Sequence, residues 1–68
     1  MTIPTAARIR QIRLALGESQ HAFADRLGTH PNVVHRWEAG VHKPRNYDHV
    51  AALMDLDKQL AEKENDRP

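Results

Sequence analysis

Histidine is the residue type in this chain with the most varied chemistry, since an imidazole can bind a metal, move a proton or donate a hydrogen bond. The 68-residue chain contains five histidines and no cysteine. His30 and His35 are five residues apart and His42 and His49 are seven apart, so no His-x-x-x-His pair places two imidazoles on one helix face. This spacing predicts that the chain has no metal site.

Candidates for catalysis are also missing. The absence of cysteine removes thiolate nucleophiles, and the one serine, Ser19, stands where the cap of a helix would stand. Gly17, Gly28 and Gly40 are isolated glycines that each follow an amphipathic segment, and they form no phosphate-cradling loop. We therefore expect a binding protein rather than an enzyme, with no cofactor and no small-molecule ligand.

Charge is distributed unevenly along the chain, although the formal net charge is only +1. Residues 1–45 carry a net charge of +4, whereas residues 46–68 carry −3. A basic segment suits contact with a polyanion such as DNA. No apolar run approaches the roughly 18 residues of a membrane span, and residues 1–10 lack the apolar stretch of a secretion signal. We expect a cytoplasmic protein with no membrane contact.

Apolar residues recur at helical spacing along the chain, which predicts a compact all-α domain of four or five helices. The first helix is expected over about residues 5–16, the second from the Ser19 cap to Gly28, and the third from Pro31 to just before Gly40. The residues expected to face inward in these helices are Ile9, Ile12, Leu16, Ala22, Phe23, Leu27, Val34, Trp37 and Val41.

The C-terminal third is predicted to contain one or two further helices. Asn46 can cap a fourth helix carrying Val50, Leu53 and Met54, and Asp57 can cap a separate last turn. The folded domain is expected to span residues 5–61, with residues 62–68 as a frayed polar tail.

A tight turn joins the second and third predicted helices. Gly28 precedes Pro31 by only three residues, and glycine tolerates the positive φ that such a turn needs. Ala24 supplies a small side chain where the two helix backbones approach each other. These features predict a helix-turn-helix, a DNA-binding arrangement whose second helix enters the major groove.

The residues around this turn resemble the Cro/C1-type (XRE-like) helix-turn-helix family of phage and bacterial transcriptional repressors. The resemblance covers about residues 6–56 and rests on residues 19–28, Ser-Gln-His-Ala-Phe-Ala-Asp-Arg-Leu-Gly, and 34–40, Val-His-Arg-Trp-Glu-Ala-Gly, followed by Lys43-Pro44. It implies a lambda-repressor-like fold and a repressor that binds a palindromic operator in double-stranded DNA as a homodimer. Autorepression of a phage or mobile-element operon is the family expectation, with Cro-like, antitoxin and anti-CRISPR-associated subtypes left open.

The chain departs from the family pattern at three positions. Glu18 occupies a position that is usually apolar, and His30 replaces the usual serine cap of the third helix. Pro31 stands where relatives often have a polar side chain that reads a base, so base readout must depend on other residues.

Base contacts are predicted from one polar stripe of the third helix. Asn32, His35 and Arg36 share this stripe at spacings of three and four residues. Arginine pairs with guanine O6 and N7, and asparagine with adenine, each worth ~1–3 kcal/mol of discrimination. His35 can donate to a base acceptor, and Pro31 can contact a thymine methyl group.

Phosphate contacts are predicted around this stripe. The resemblance assigns a phosphate contact to Gln20 at the start of the second helix, where the helix N-terminus also favours an anion. Lys43 and Arg45 follow the third helix on a loop, and the further candidates are His21, His30 and His42. The resemblance also implies a structural ion pair between Arg13 and Glu38.

Two properties of the C-terminal segment bear on partners. Residues 56–61 are expected to form the dimer surface. As an alternative to DNA recognition, the acidic residues 55–66 could bind a basic protein in an interaction module that keeps the fold without specific DNA binding. Against that alternative, the side predicted to be exposed retains four residues suited to DNA contact, namely Asn32, Arg36, Lys43 and Arg45.

Overall fold

The computed structural model describes residues 3–65, which contain four α-helices and no β-strand. The helices are α1 (Ala6–Ala15), α2 (Gln20–Leu27), α3 (Pro31–Glu38) and α4 (Tyr47–Asn65). Helix α2 packs on α3, and α1 packs on both α3 and α4. The prediction of an all-α domain is confirmed. None of the described helices has the length and apolar character needed to cross a membrane.

Side-chain caps fix where the helices begin. The Oγ atom of Ser19 accepts a hydrogen bond from the Ala22 backbone N–H at 3.1 Å. The Oδ1 atom of Asn46 accepts from the backbone N–H groups of Asp48 and His49, at 2.8 and 3.3 Å. These bonds satisfy donors that the first turn of a helix leaves without a backbone partner, so both predicted caps are confirmed.

The core lies where α1, α2, α3 and α4 converge. Its buried side chains are Ile9, Ile12, Phe23, Ala24, Val34, Trp37 and Leu53. Each large apolar side chain contributes ~1.5–3 kcal/mol to stability by leaving water. Ala24 has no exposed surface, and its small side chain lets α2 approach α3 closely. This core packs against one face of α3 and leaves the opposite face of the helix open to solvent.

The prediction of a separate last turn beginning at Asp57 is wrong, because α4 runs without a break from Tyr47 to Asn65. No glycine or proline interrupts this segment, and Leu53, Leu56 and Leu60 continue one inward stripe. Asp57 forms an ion pair with Arg8 instead of capping a new helix. Residues 62–65 of the predicted polar tail are helical, and residues 66–68 lie outside the described range.

The predictions that Leu16 and Val41 face the core are also wrong. Helix α1 ends at Ala15, and Leu16, its C-cap residue, is 38% exposed. Helix α3 ends at Glu38, and Gly40 adopts a φ of +76°. The chain therefore leaves the helical path before Val41, and the valine is 65% exposed instead of continuing the stripe of Val34 and Trp37.

Candidate nucleic-acid interface

A three-residue turn sets the position of α3 relative to α2. Gly28 adopts a φ of +69°, and its N–H group donates to the carbonyls of Ala24 and Asp25. The next residue, Thr29, donates from its N–H group to the Ala24 carbonyl at 2.9 Å. These bonds close the end of α2 in the left-handed conformation that glycine adopts without steric cost. Helix α3 therefore starts in a fixed direction.

Two opposite faces of α3 differ in burial. Val34 and Trp37 are buried in the core. Asn32, His35 and Arg36 are exposed, and within residues 3–65 none of these three side chains has a hydrogen-bond or ion-pair partner. The structure thus brings three of the predicted base-reading residues together on one open face, with the half-buried Pro31 at its start.

A groove of about 330 Å³ lies between α3, the loop of residues 39–46 and the first turn of α4. The residues lining it are Val33, Arg36, Trp37, His42, Lys43, Arg45, Asn46 and His49. The rings of Trp37 and His49 meet edge to face inside it, with centroids 5.5 Å apart. In the described part of the chain, Arg36, Lys43 and Arg45 have no acidic partner, so the groove is positively charged and suits an anionic ligand.

The two phosphate candidates on α2 have neighbours that the sequence did not reveal. The Nε2 atom of Gln20 donates to Oε1 of Glu38 at 3.3 Å, so the half-buried amide is held against the end of α3. The exposed His21 has its Nε2 atom 3.7 Å from Oδ2 of Asp25, one turn along α2. These two residues lie apart from the groove that contains Lys43 and Arg45.

His30 caps α3 with its side chain. The Nδ1 atom of the exposed imidazole accepts a hydrogen bond from the Asn32 backbone N–H at 3.1 Å. His30 thus takes over the capping contact of the serine that is usual in relatives, and its ring stands next to the polar face of α3.

Arg13 and Glu38 form an ion pair between α1 and the end of α3. Their side chains are only 12% and 6% exposed. The hydrogen bonds from Nε and Nη2 of Arg13 to Glu38 measure 2.7 and 3.0 Å, and Nη1 also donates to the Glu18 carbonyl at 2.9 Å. Bonding to the Glu38 carboxylate raises the pKa of Arg13, which stabilises the charged form. This pair ties α1 to the end of α3.

Three further ion pairs were not predicted. Arg8 bonds Asp57 and Glu64, which ties α1 to the far end of α4. Arg26 bonds both carboxylate oxygens of Glu18, at 2.8 and 3.0 Å. Arg8 and Arg26 therefore do not add to the positive charge that is free to meet a ligand. No three His, Asp or Glu side chains in residues 3–65 come together as a metal site requires.

Comparison with known protein families matches residues 9–46, more than half of the chain, to the helix-turn-helix family. Neither the curated proteins nor the solved structures provided a match. The matched segment runs from the buried Ile9 of α1 to the Asn46 cap of α4, so it includes the whole α2–turn–α3 unit and every residue that lines the groove except His49. The chain belongs to the Cro/C1-type (XRE-like) helix-turn-helix family of DNA-binding proteins.

Proposed function

We propose that the protein is a sequence-specific transcriptional regulator, acting as a repressor, that places α3 in the major groove of an operator. The observation that carries this proposal is the open face formed by Asn32, His35 and Arg36 beside a positively charged groove. An eight-residue helix with its polar face exposed at the N-terminal end matches the way such helices enter the major groove.

The roles within this interface follow from chemistry. Arg36 reads guanine, Asn32 reads adenine, His35 donates to a base acceptor and Pro31 contacts a thymine methyl group. Phosphates are bound by Lys43 and Arg45 in the groove. Further phosphate contacts come from Gln20 and His21 at the start of α2 and from His30 at the N-cap of α3. These phosphate contacts fix the position of the protein on DNA and carry no sequence information directly.

The protein acts as a homodimer on an inverted repeat, with half-sites about one helical turn, ~34–36 Å, apart. The proposed dimer surface is residues 56–61 of α4. Leu56 and Leu60 line a small cleft there together with Leu16, the residue that follows α1. Both α4 leucines are already partly buried against the core, so the pairing of the two protomers is weak and DNA binding completes it.

The protein works in the cytoplasm, as an autorepressor of a phage or mobile-element operon, without catalysis.

Selection of binding sites from random duplex DNA tests this proposal, with the wild type and Arg36→Ala in parallel. The expected result is an enriched palindrome for the wild type and loss of a guanine preference for the variant. Arg10→Ala is a matched control, because Arg10 is an exposed arginine on α1 that does not line the groove and has no bonding partner within residues 3–65. Sedimentation of the complex should show two protomers per duplex.

Absence of enrichment would contradict sequence-specific binding and favour the interaction module as the alternative. The structure offers that alternative limited support. Arg8 already bonds Asp57 and Glu64 of the acidic segment, and Gln59 donates to Asp55 at 2.9 Å. Much of the acidic charge is therefore engaged within the protein and is not available to a basic partner.

A further inference from the structure

His30 accepts the hydrogen bonds of the backbone N–H groups at the start of α3. Its Nδ1 atom accepts from the Asn32 N–H at 3.1 Å, and its carbonyl accepts from the N–H groups of Val33 and Val34 at 2.9 and 3.4 Å. Pro31 has no N–H group. The first turn of α3 therefore has no backbone donor left to bind a phosphate, although a helix N-terminus ordinarily offers such donors.

The same hydrogen bond determines where the proton of the His30 ring lies. An imidazole nitrogen that accepts a hydrogen bond carries no proton, so a neutral ring that caps through Nδ1 carries its proton on Nε2. Nε2 is the ring atom on the far side from the capped N–H. The exposed ring of His30 thus offers one N–H donor beside the open face of α3.

We propose that His30 binds a DNA phosphate as a neutral imidazole, donating from Nε2 while Nδ1 caps α3. This inference rests on the proposed DNA binding and assigns one contact within it. His30 is then the phosphate donor at a helix end whose backbone donors are all occupied. The capping bond keeps the ring proton on Nε2. His30 therefore both holds the backbone N–H of Asn32 and sets the register of the protein on the DNA backbone.

Two substitutions separate the cap from the donor. His30→Ser keeps an oxygen that can accept from the Asn32 N–H but does not extend a donor beyond the cap, whereas His30→Ala removes both functions. We expect the serine variant to keep the urea midpoint of the wild type and the alanine variant to lower it. Both variants should bind operator DNA about tenfold or more weakly, since a hydrogen bond to a charged acceptor is lost.

The salt dependence of binding distinguishes a neutral ring from an imidazolium. A neutral donor releases no counter-ion, so the slope of log affinity against log salt should be the same for the wild type and His30→Ser. Loss of an imidazolium contact would reduce the magnitude of that slope by about 0.9. Nitrogen-15 NMR of the wild type should show the Nε2–H tautomer of His30 in the free protein and in the DNA complex.

Wild-type affinity of His30→Ser would overturn the phosphate contact while leaving the proposed function intact. A proton on Nδ1 in the complex, or a reduced salt slope in the serine variant, would overturn the neutral tautomer. Failure of the wild type to bind any operator would overturn the proposed function and the phosphate contact together.

Discussion

The guanidinium of Arg13 donates two hydrogen bonds, of 2.7 and 3.0 Å, to the two carboxylate oxygens of Glu38, and these bonds join α1 to the end of α3. Glu38 also accepts from Gln20 at the start of α2, and Arg13 donates to the Glu18 carbonyl just before it. One buried pair thus joins three helices around the turn that directs α3. Because both side chains are largely shielded from water, removal of one partner would leave the other as a poorly solvated charge without a counter-ion.

Arg13→Ala should therefore prevent DNA binding by unfolding the domain. Breaking a buried pair costs about 3–5 kcal/mol, which is a large part of the stability of a small domain. The measurement is urea unfolding followed by far-ultraviolet circular dichroism. Arg10→Ala is the matched control, because Arg10 is exposed on the same helix and has no bonding partner within residues 3–65. An Arg13→Ala protein with a native spectrum and wild-type midpoint but no DNA affinity would place Arg13 at the DNA instead.

Lys43→Ala and Arg45→Ala should weaken binding to operator and unrelated DNA by similar factors. Each residue lines the groove without an acidic partner in the described residues, so each is expected to neutralise one phosphate. The slope of log affinity against log salt should fall in magnitude by about 0.9 for each substitution. Fluorescence anisotropy over a range of salt concentrations measures this slope. A variant that loses operator affinity alone would show that its side chain reads a base.

Glu18→Gln should lower stability at neutral pH and have no effect in acid. Hydrogen bonding to Arg26 lowers the pKa of Glu18 below its ordinary value of 4.5. The pair therefore stabilises the fold above that value, and the contribution is lost as the pH falls through the lower pKa of the folded state. Thermal unfolding at about pH 7 and about pH 3 measures the change. If the wild type and Glu18→Gln still differ in unfolding temperature in acid, Glu18 contributes through packing and not through its charge.

Arg8→Gln should loosen the C-terminal half of α4 while leaving α2 and α3 unchanged. Leu53 is the one fully buried residue of α4, so its last turns depend on Leu56, Leu60 and the bonds from Arg8. Hydrogen exchange should become faster for residues 57–65 and stay slow at the core of α2. Unchanged exchange over residues 57–65 would show that the partly buried leucines hold this end without the arginine.

Gly28→Ala should destabilise the domain by about 1–2 kcal/mol through backbone strain alone. The residue has a φ of +69°, and a Cβ atom built there meets no atom within 4 Å, so no steric clash adds to the cost. Gly28→Asn should cost less, because asparagine tolerates the left-handed region better than alanine. Denaturant midpoints of the two variants provide the comparison. Equal losses would indicate that the turn is strained by something other than its φ.

The starts of α2 and α3 could be predicted from sequence to within a residue, because Ser19 and Pro31 act through local chemistry. The family resemblance pointed to the pairing of Arg13 with Glu38. The bonds of Arg8 could not be predicted, since Asp57 and Glu64 are 49 and 56 residues away along the chain. Asp57 illustrates the difficulty, because an aspartate before an apolar segment is typical of a cap, and only the tertiary structure shows that it pairs with an arginine.

Within the eight residues of α3, one set of side chains packs in the core and a different set is exposed to solvent. Val34 and Trp37 belong to the core, whereas Asn32, His35 and Arg36 contribute no described contact to it. In the proposed function these three side chains read bases, so substitutions there alter the base preference without removing a contact of the core. The proposed target preference can therefore drift or be redesigned at three codons while the scaffold stays the same.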